Sequence, residues 1–237
     1  MSEVVLNIEG LSKSYGGHQV IKDINASATR GQVIGLVGLN GAGKTTLIET
    51  ALGFALPDAG SVSILGTPST DIGGSPVKGR IGFVPQQDEL LGSYEGHEYL
   101  NLLKSFYSSW DDNLVARLAS DWQVPLDRLI SDLSVGQRQK LSIISALGQR
   151  PELIILDEPV ASLDPVARRD FLREIVEHAA DHDATVIFST HIITDLERVA
   201  ERIWLLKDGA LQMNEDLGDL KDTHTAPLEE LFLEIHA

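Results

Sequence analysis

Gly38-Leu39-Asn40-Gly41-Ala42-Gly43-Lys44-Thr45 fits the spacing G-x-x-x-x-G-K-[ST] in full. Glycines at that spacing let successive backbone N–H groups turn inward around an anion. A helix starting behind them adds its positive end. The lysine brings a point charge to the β- and γ-phosphates of a nucleoside triphosphate, and the Thr45 hydroxyl can ligate Mg²⁺. A second signal lies far along the chain, where Leu153-Ile154-Ile155-Leu156 runs into Asp157-Glu158. On a buried parallel strand the first carboxylate reaches Mg²⁺ at the C-terminal edge of the sheet, where ligands bind in α/β folds. The second is what water activation needs. Alone, an apolar strand ending in two acids is a common surface feature. Beside a phosphate loop it reads as the other half of a nucleotide-hydrolysing site.

Both signals need strands that stop at one sheet edge. Gln32–Val37 is a short apolar run that ends at Gly38, and Thr45–Leu52 has helical spacing, so strand, loop and helix follow in the required order. Leu153–Leu156, Thr185–Ser189 and Arg202–Leu206 are three further buried-strand candidates. Between the first two, Asp164 is the N-cap and Pro165 the first residue of a helix. Its apolar stripe is Phe171, Leu172, Ile175, Val176 and Ala179. Strands alternating with helices predict a parallel sheet covered on both sides. Upstream, Val4–Ile8 and Gln19–Ala26 flank Gly16-Gly17 and read as an antiparallel ribbon. Brief strand signals stand at Ser61–Leu65 and Ile81–Val84. From about 88 to 130, Leu100, Leu103, Phe106, Tyr107, Leu114 and Leu118 recur at three- and four-residue steps, which predicts a mostly helical insert. Asp208-Gly209 marks a hairpin turn after the last strand.

Composition narrows the function classes. With 237 residues, 43% hydrophobic and 23% charged, the chain has the balance of a soluble globular protein with a real core. A formal charge of −16 repels phosphate backbones, so no nucleic-acid partner is expected. The absence of cysteine removes disulfides, thiol catalysis and thiolate metal sites. Met1–Leu6 lacks a basic stretch and a long apolar run, so no signal peptide is expected. No window reaches the roughly 18 apolar residues of a membrane span, so work at a membrane would go through another chain. Residues 208–237 carry eight acids and one lysine and read as a solvated helical face. A partner-docking tail is the sharper alternative.

Leu133-Ser134-Val135-Gly136-Gln137 brings these parts together. With it the chain resembles an ATP-binding cassette (ABC) ATPase, and the motifs come in that family's order. The phosphate loop leads, and Gln86 in Phe83-Val84-Pro85-Gln86 resembles the Q-loop. The signature follows at 133–137, then the Walker B strand with Asp157 and Glu158. Ser162-Leu163-Asp164 resembles the D-loop, and His191, 33 residues after Glu158, resembles the H-loop. Tyr15 stands where the family places an aromatic that stacks on adenine; a core aromatic is the alternative reading. Gln86 and Gln87 could each be a solvated loop amide, and Gln86 is preferred because it directly follows Val84-Pro85.

The resemblance implies an α/β fold: a P-loop NTPase core with a mainly parallel sheet, an N-terminal antiparallel β subdomain and an inserted helical subdomain at about 88–150. One domain would span 1–237. It implies nucleotide binding by Tyr15, Gly38, Leu39, Asn40, Gly41, Ala42, Gly43, Lys44, Thr45 and Thr46. Thr45, Gln86 and Asp157 would surround Mg²⁺. Glu158 would orient or deprotonate water, His191 would hydrogen-bond the γ-phosphate, and Gln86 would link the site to the insert. Ser134, Val135, Gly136 and Gln137 would meet the ATP of a second cassette paired head to tail. The family's usual pair Gly-Gly is here Val135-Gly136, and Val would be strained if that position needed a positive φ. The partners implied are ATP, a second cassette (a homodimer, or a heterodimer with another cassette chain) and a separately encoded transmembrane permease. The place implied is the cytoplasmic face of the membrane. Phe106-Tyr107-Ser108-Ser109-Trp110-Asp111 and the stretch from Ser189 to Glu197 look most like bacterial drug or peptide exporters. The alternative is a soluble cassette driving a cytosolic assembly such as an iron–sulfur scaffold.

Overall fold

The computed structural model describes residues 3–160, 163–223, 228–230 and 232. Two long strands open the chain, β1 (Val4–Tyr15) and β2 (His18–Thr29), and pair antiparallel across the Gly16-Gly17 turn. β3 (Val33–Val37) then runs into the Gly-rich loop and α1 (Lys44–Ala51). β4 (Ala59–Ile64) and the two-residue β5 (Thr67–Pro68) return to the first hairpin, giving a four-stranded sheet in the order β2-β1-β4-β5. β6 (Ile81–Val84) precedes three helices, α2 (Gly96–Lys104), α3 (Asp112–Asp121) and α4 (Val135–Gly148). After them come β7 (Leu153–Leu156), α5 (Pro165–His182), β8 (Thr185–Thr190), α6 (Ile193–Val199) and β9 (Arg202–Lys207). β10 (Ala210–Asp216) and α7 (Leu217–Thr223) follow.

The second sheet has six strands in the order β10-β9-β3-β8-β7-β6 and is parallel except for the β9–β10 hairpin. Its strands alternate between two cores, as period-two geometry demands. Ile34, Leu36, Ile155, Ile187 and Trp204 face α1 and the antiparallel sheet. Val33, Val37, Ile154, Val186 and Leu205 face α4, α5 and α6. Both faces of the central strands are therefore apolar, which is why these segments read as continuous Val/Ile/Leu runs. Asp208 and Gly209 take φ of 49° and 79°, the pair of positive values that a tight hairpin turn needs.

Three expectations change. The stretch from 88 to 130 holds α2 and α3 but is less than half helix, because α2 stops at Lys104. There the Ser105 hydroxyl donates to the Leu102 carbonyl at 2.6 Å. Phe106 falls beyond that end and is 73% exposed, so it is not part of the apolar stripe that buries Leu100. On α5, Val176 is exposed where Phe171, Leu172, Ile175 and Ala179 are buried. The acidic C-terminal stretch begins with an edge strand rather than a helix, and Leu217, Leu220 and Phe232 within it are buried. Leu217, Leu220 and Phe232 join the core under the sheet, while Asp208, Glu215, Asp219, Asp222, Glu229 and Glu230 are exposed.

Candidate nucleotide site at the sheet edge

β3, β7 and β8 are hydrogen-bonded neighbours, so their C-terminal ends bring Gly38, Asp157 and Ser189 to one edge. The loop after β3 needs its glycines. Gly43 has φ 106°, and a Cβ there would stand 2.9 Å from Ile21 Cδ1 and 3.1 Å from the Val20 carbonyl oxygen. Lys44 begins α1 and folds back over the loop, donating from Nζ to the Gly38 carbonyl at 2.8 Å. The same ammonium lies 3.2 Å from Glu158 Oε1, both side chains being less than a tenth exposed. A cavity of about 330 Å³ opens here, lined by Val20, Asn40, Gly41, Gly43–Thr46, Gln86 and Glu158.

Asp157 is the hub behind that cavity. Its Oδ2 accepts from the Thr45 hydroxyl at 2.7 Å and its Oδ1 from the Ser189 hydroxyl at 2.5 Å. Ser189 also accepts from the Glu158 backbone N–H at 2.8 Å. Glu158 needs that anchor, because its φ of 48° is one that a residue with a side chain rarely adopts. The unusual turn swings its carboxylate back over the loop, where Oε2 lies 3.0 Å from His191 Nδ1. One carboxylate thus stands between the loop lysine and the histidine that follows β8. Ser189 belongs to none of the sequence motifs. The only signal was a polar residue near the end of an apolar strand, next to Thr190-His191.

The other sequence-derived residues are placed as follows. Leu39 is half exposed on the loop, and Ala42 is buried beneath it. Tyr15 ends β1, is 47% exposed, and carries the Lys13 ammonium 5.1 Å over its ring; it does not line the cavity. Ser134 is the N-cap of α4, and none of Ser134, Val135, Gly136 and Gln137 lines the cavity either. The Ser134 hydroxyl accepts from the Gln137 N–H at 3.2 Å, while the Gln137 side-chain oxygen accepts from the Ser134 N–H at 3.0 Å. Val135 is the first residue of that helix, has no positive φ, and is 54% exposed, so the strain that Val in place of Gly would bring is absent. Asp164 caps α5 by accepting from Val166 and Ala167, which holds its carboxyl below the usual range. Leu163 is buried, and Ser162 lies outside the described residues. Among the described residues, no three His, Asp or Glu side chains form a metal cage. Thr45 and Asp157 with nearby Gln86 form instead a small set of oxygen donors with one carboxylate, the kind Mg²⁺ accepts when phosphates and water complete its shell.

The model of the family described as ABC transporter matches residues 21–161 of this chain. The chain belongs to the ABC transporter family. It is an ATP-binding cassette and an ATPase of that family. It is 31% identical over 221 residues to the ABC transporter ATP-binding protein YtrB of Bacillus subtilis, covering 93% of this chain and 75% of that one. Over 220 residues it is 28% identical to the bacitracin transport ATP-binding protein BcrA of Enterococcus faecalis, covering 92% and 71%. Over 217 residues it is 32% identical to the Nod factor export ATP-binding protein I of Sinorhizobium fredii, covering 88% and 62%. Among solved structures, an ATP binding subunit of an ABC transporter superposes with a TM-score of 0.88 at 28% identity, covering 98% of this cassette and all of that chain. The dimeric bacterial cassette MJ0796 shares the fold, with a TM-score of 0.80 at 24% identity over 90% of this cassette and 98% of its own chain. The expected α/β architecture of antiparallel sheet, mainly parallel sheet and helices is the one observed.

Proposed function

We propose that this cassette hydrolyses Mg-ATP at the edge formed by β3, β7 and β8 and powers a separately encoded membrane permease, in the direction of export. The observation that carries the catalytic reading is the Glu158 carboxylate, 3.2 Å from Lys44 Nζ and 3.0 Å from His191 Nδ1 at the mouth of the phosphate-loop cavity. Lys44 and the backbone N–H groups of residues 38–46 bind the β- and γ-phosphates and offset charge in a loose transition state. Before that, Lys44 must leave Glu158, which frees the carboxylate to take a proton from water. His191 then faces the transferring phosphate. Thr45, Asp157 and Gln86 are the residues that would hold Mg²⁺. When bound, the ion supplies charge neutralisation at the phosphate oxygens. Tyr15 would stack on the base, and Ser134–Gln137 with Ser162–Asp164 would face the site of a second cassette, paired head to tail.

Transport rests on the family and on the bacitracin transport relative, and export on the relatives named for Nod factor export. No helix among the described residues is long and apolar enough to cross a membrane, which fits a permease on another chain and work at the cytoplasmic face of the membrane. A groove of about 630 Å³ next to the site is where such a chain would dock. It is lined by Phe54, Phe83, Gln86, Leu90 and Tyr99, and it joins Gln86 to α2. The test is purification of the cassette from detergent-solubilised membranes. The expected result is a multi-span partner and ATP hydrolysis that is lost in Glu158→Gln. Recovery of soluble scaffold proteins alone refutes the transport reading.

A further inference from the structure

Asp195 is the third residue of α6, four positions after His191, and is 3% exposed. Its Oδ2 has no hydrogen-bond partner and lies 3.7 Å from Nη1 of Arg168, whose own buried Nε is also unpartnered. Arg168 is the fourth residue of α5, the helix capped by Asp164, and its N–H donates to the Asp164 carbonyl at 2.8 Å. The pair therefore joins the helix that follows His191 to the helix that follows the D-loop motif. A buried carboxylate with an unmet oxygen is costly to keep, and burial raises the Asp195 pKa. The charged or titratable groups facing it are Arg168, Arg198 and His191.

We propose that Asp195 and Arg168 form a positioning pair that sets where His191 stands relative to Glu158. The geometry supports this in two ways. First, α6 is only seven residues long, and its N-cap Ile192 donates its N–H to the Thr190 hydroxyl at 3.0 Å, a local turn that brackets His191. A small displacement of Asp195 is therefore carried to the imidazole. Second, the pair is open. Moving the two helices together by about 1 Å would close it to a charge-assisted hydrogen bond from Nη1 and satisfy the orphaned Asp195 Oδ2. Asp195 touches no substrate on this account and acts through His191. The inference rests on the catalytic reading of His191 and Glu158 given above.

The experiment is a double-mutant cycle on ATP hydrolysis by the whole chain, using Asp195→Asn, His191→Ala and the double variant. Asp195→Asn is expected to lower kcat about tenfold, since a misplacement near 1 Å costs up to about a hundredfold. The KM for ATP should stay within about twofold, because uniform binding is untouched. The double variant should be no slower than His191→Ala alone. A purely structural role would instead make the losses multiply, and that result overturns the proposal. If His191→Ala leaves kcat unchanged, the catalytic reading itself fails and this inference falls with it. Should Asp195→Asn not fold, Arg168→Gln runs the same cycle, with the same non-additivity expected and the same multiplication of losses as refutation.

Discussion

Ser189→Ala tests whether one hydroxyl holds the two catalytic-edge acids in place. Ser189 is fully buried, donates to Asp157 Oδ1 at 2.5 Å and accepts from the Glu158 N–H at 2.8 Å. Removing the hydroxyl leaves the Glu158 N–H unpaired in the interior, which costs about 1–3 kcal/mol. It also takes a charge-assisted hydrogen bond of about 1.5–3 kcal/mol from Asp157. Asp157 keeps Thr45 as a donor, so the two losses do not add in full, and about 3 kcal/mol is the expected sum. For a chain of this size that is a fall in Tm of roughly 6–12 °C. Without the anchor Glu158 has less reason to hold its left-handed φ, so its carboxylate leaves the loop and ATP hydrolysis should drop about tenfold or more. Differential scanning calorimetry and a steady-state phosphate-release assay measure the two effects. Ser189→Cys, which keeps volume and a weak donor, should fall between. A Ser189→Ala protein with wild-type Tm and wild-type turnover would refute the argument.

Three further outcomes follow from the same geometry. Lys44→Ala should weaken Mg-ATP binding about ten- to a hundredfold in calorimetry, the worth of a charge-assisted contact; unchanged affinity would remove Lys44 from the phosphates. Glu158→Gln should cut hydrolysis by about 10²–10⁴ while ATP still binds, read by single-turnover kinetics alongside a binding titration. His178 is pushed down from 6.5 to about 4, first by burial and then by the neighbouring His182. Its folded form is the less protonated one, so stability is full above pH 6.5 and lost as pH falls towards 4. The loss should reach about 3 kcal/mol in denaturant unfolding. His178→Leu should flatten the pH dependence over that window.

The strands that deliver the site were legible because each is a short apolar run bounded by a turn or an acid. Ile81–Val84 and Leu153–Leu156 match the structure end to end. The N-cap at Asp164 was legible for the same local reason, Asp before Pro. What could not be read is non-local. The Ser189 hydroxyl meets Asp157 and Glu158 across 32 and 31 residues, and no spacing rule marks which serine near a strand end will do so. The positive φ of Glu158 was hidden as well, since nothing in Asp-Glu-Pro asks for it. Periodicity misled at Phe106 and Val176, where the helix ended or its face turned to water.

One ion cluster lies at the beginnings of the strands, opposite the chemistry. Glu152, just before β7, accepts from Arg80 just before β6 (2.8 Å at Oε2) and from Arg30 just before β3 (2.7 Å). The paired guanidinium groups hold its carboxyl down near pKa 2. The three strands that lead to Gly38, Gln86 and Asp157 are thus tied together at the foot. Each is a strut of about 13–17 Å at the rise of a parallel strand. Struts tied at one end would resist sliding past one another under a pull from nucleotide at the other. On the proposed function, the displacement would leave through what hangs from their tips, the Gln86 loop and the helices beyond it, and a staple far from ATP would make the sheet a lever rather than a cushion.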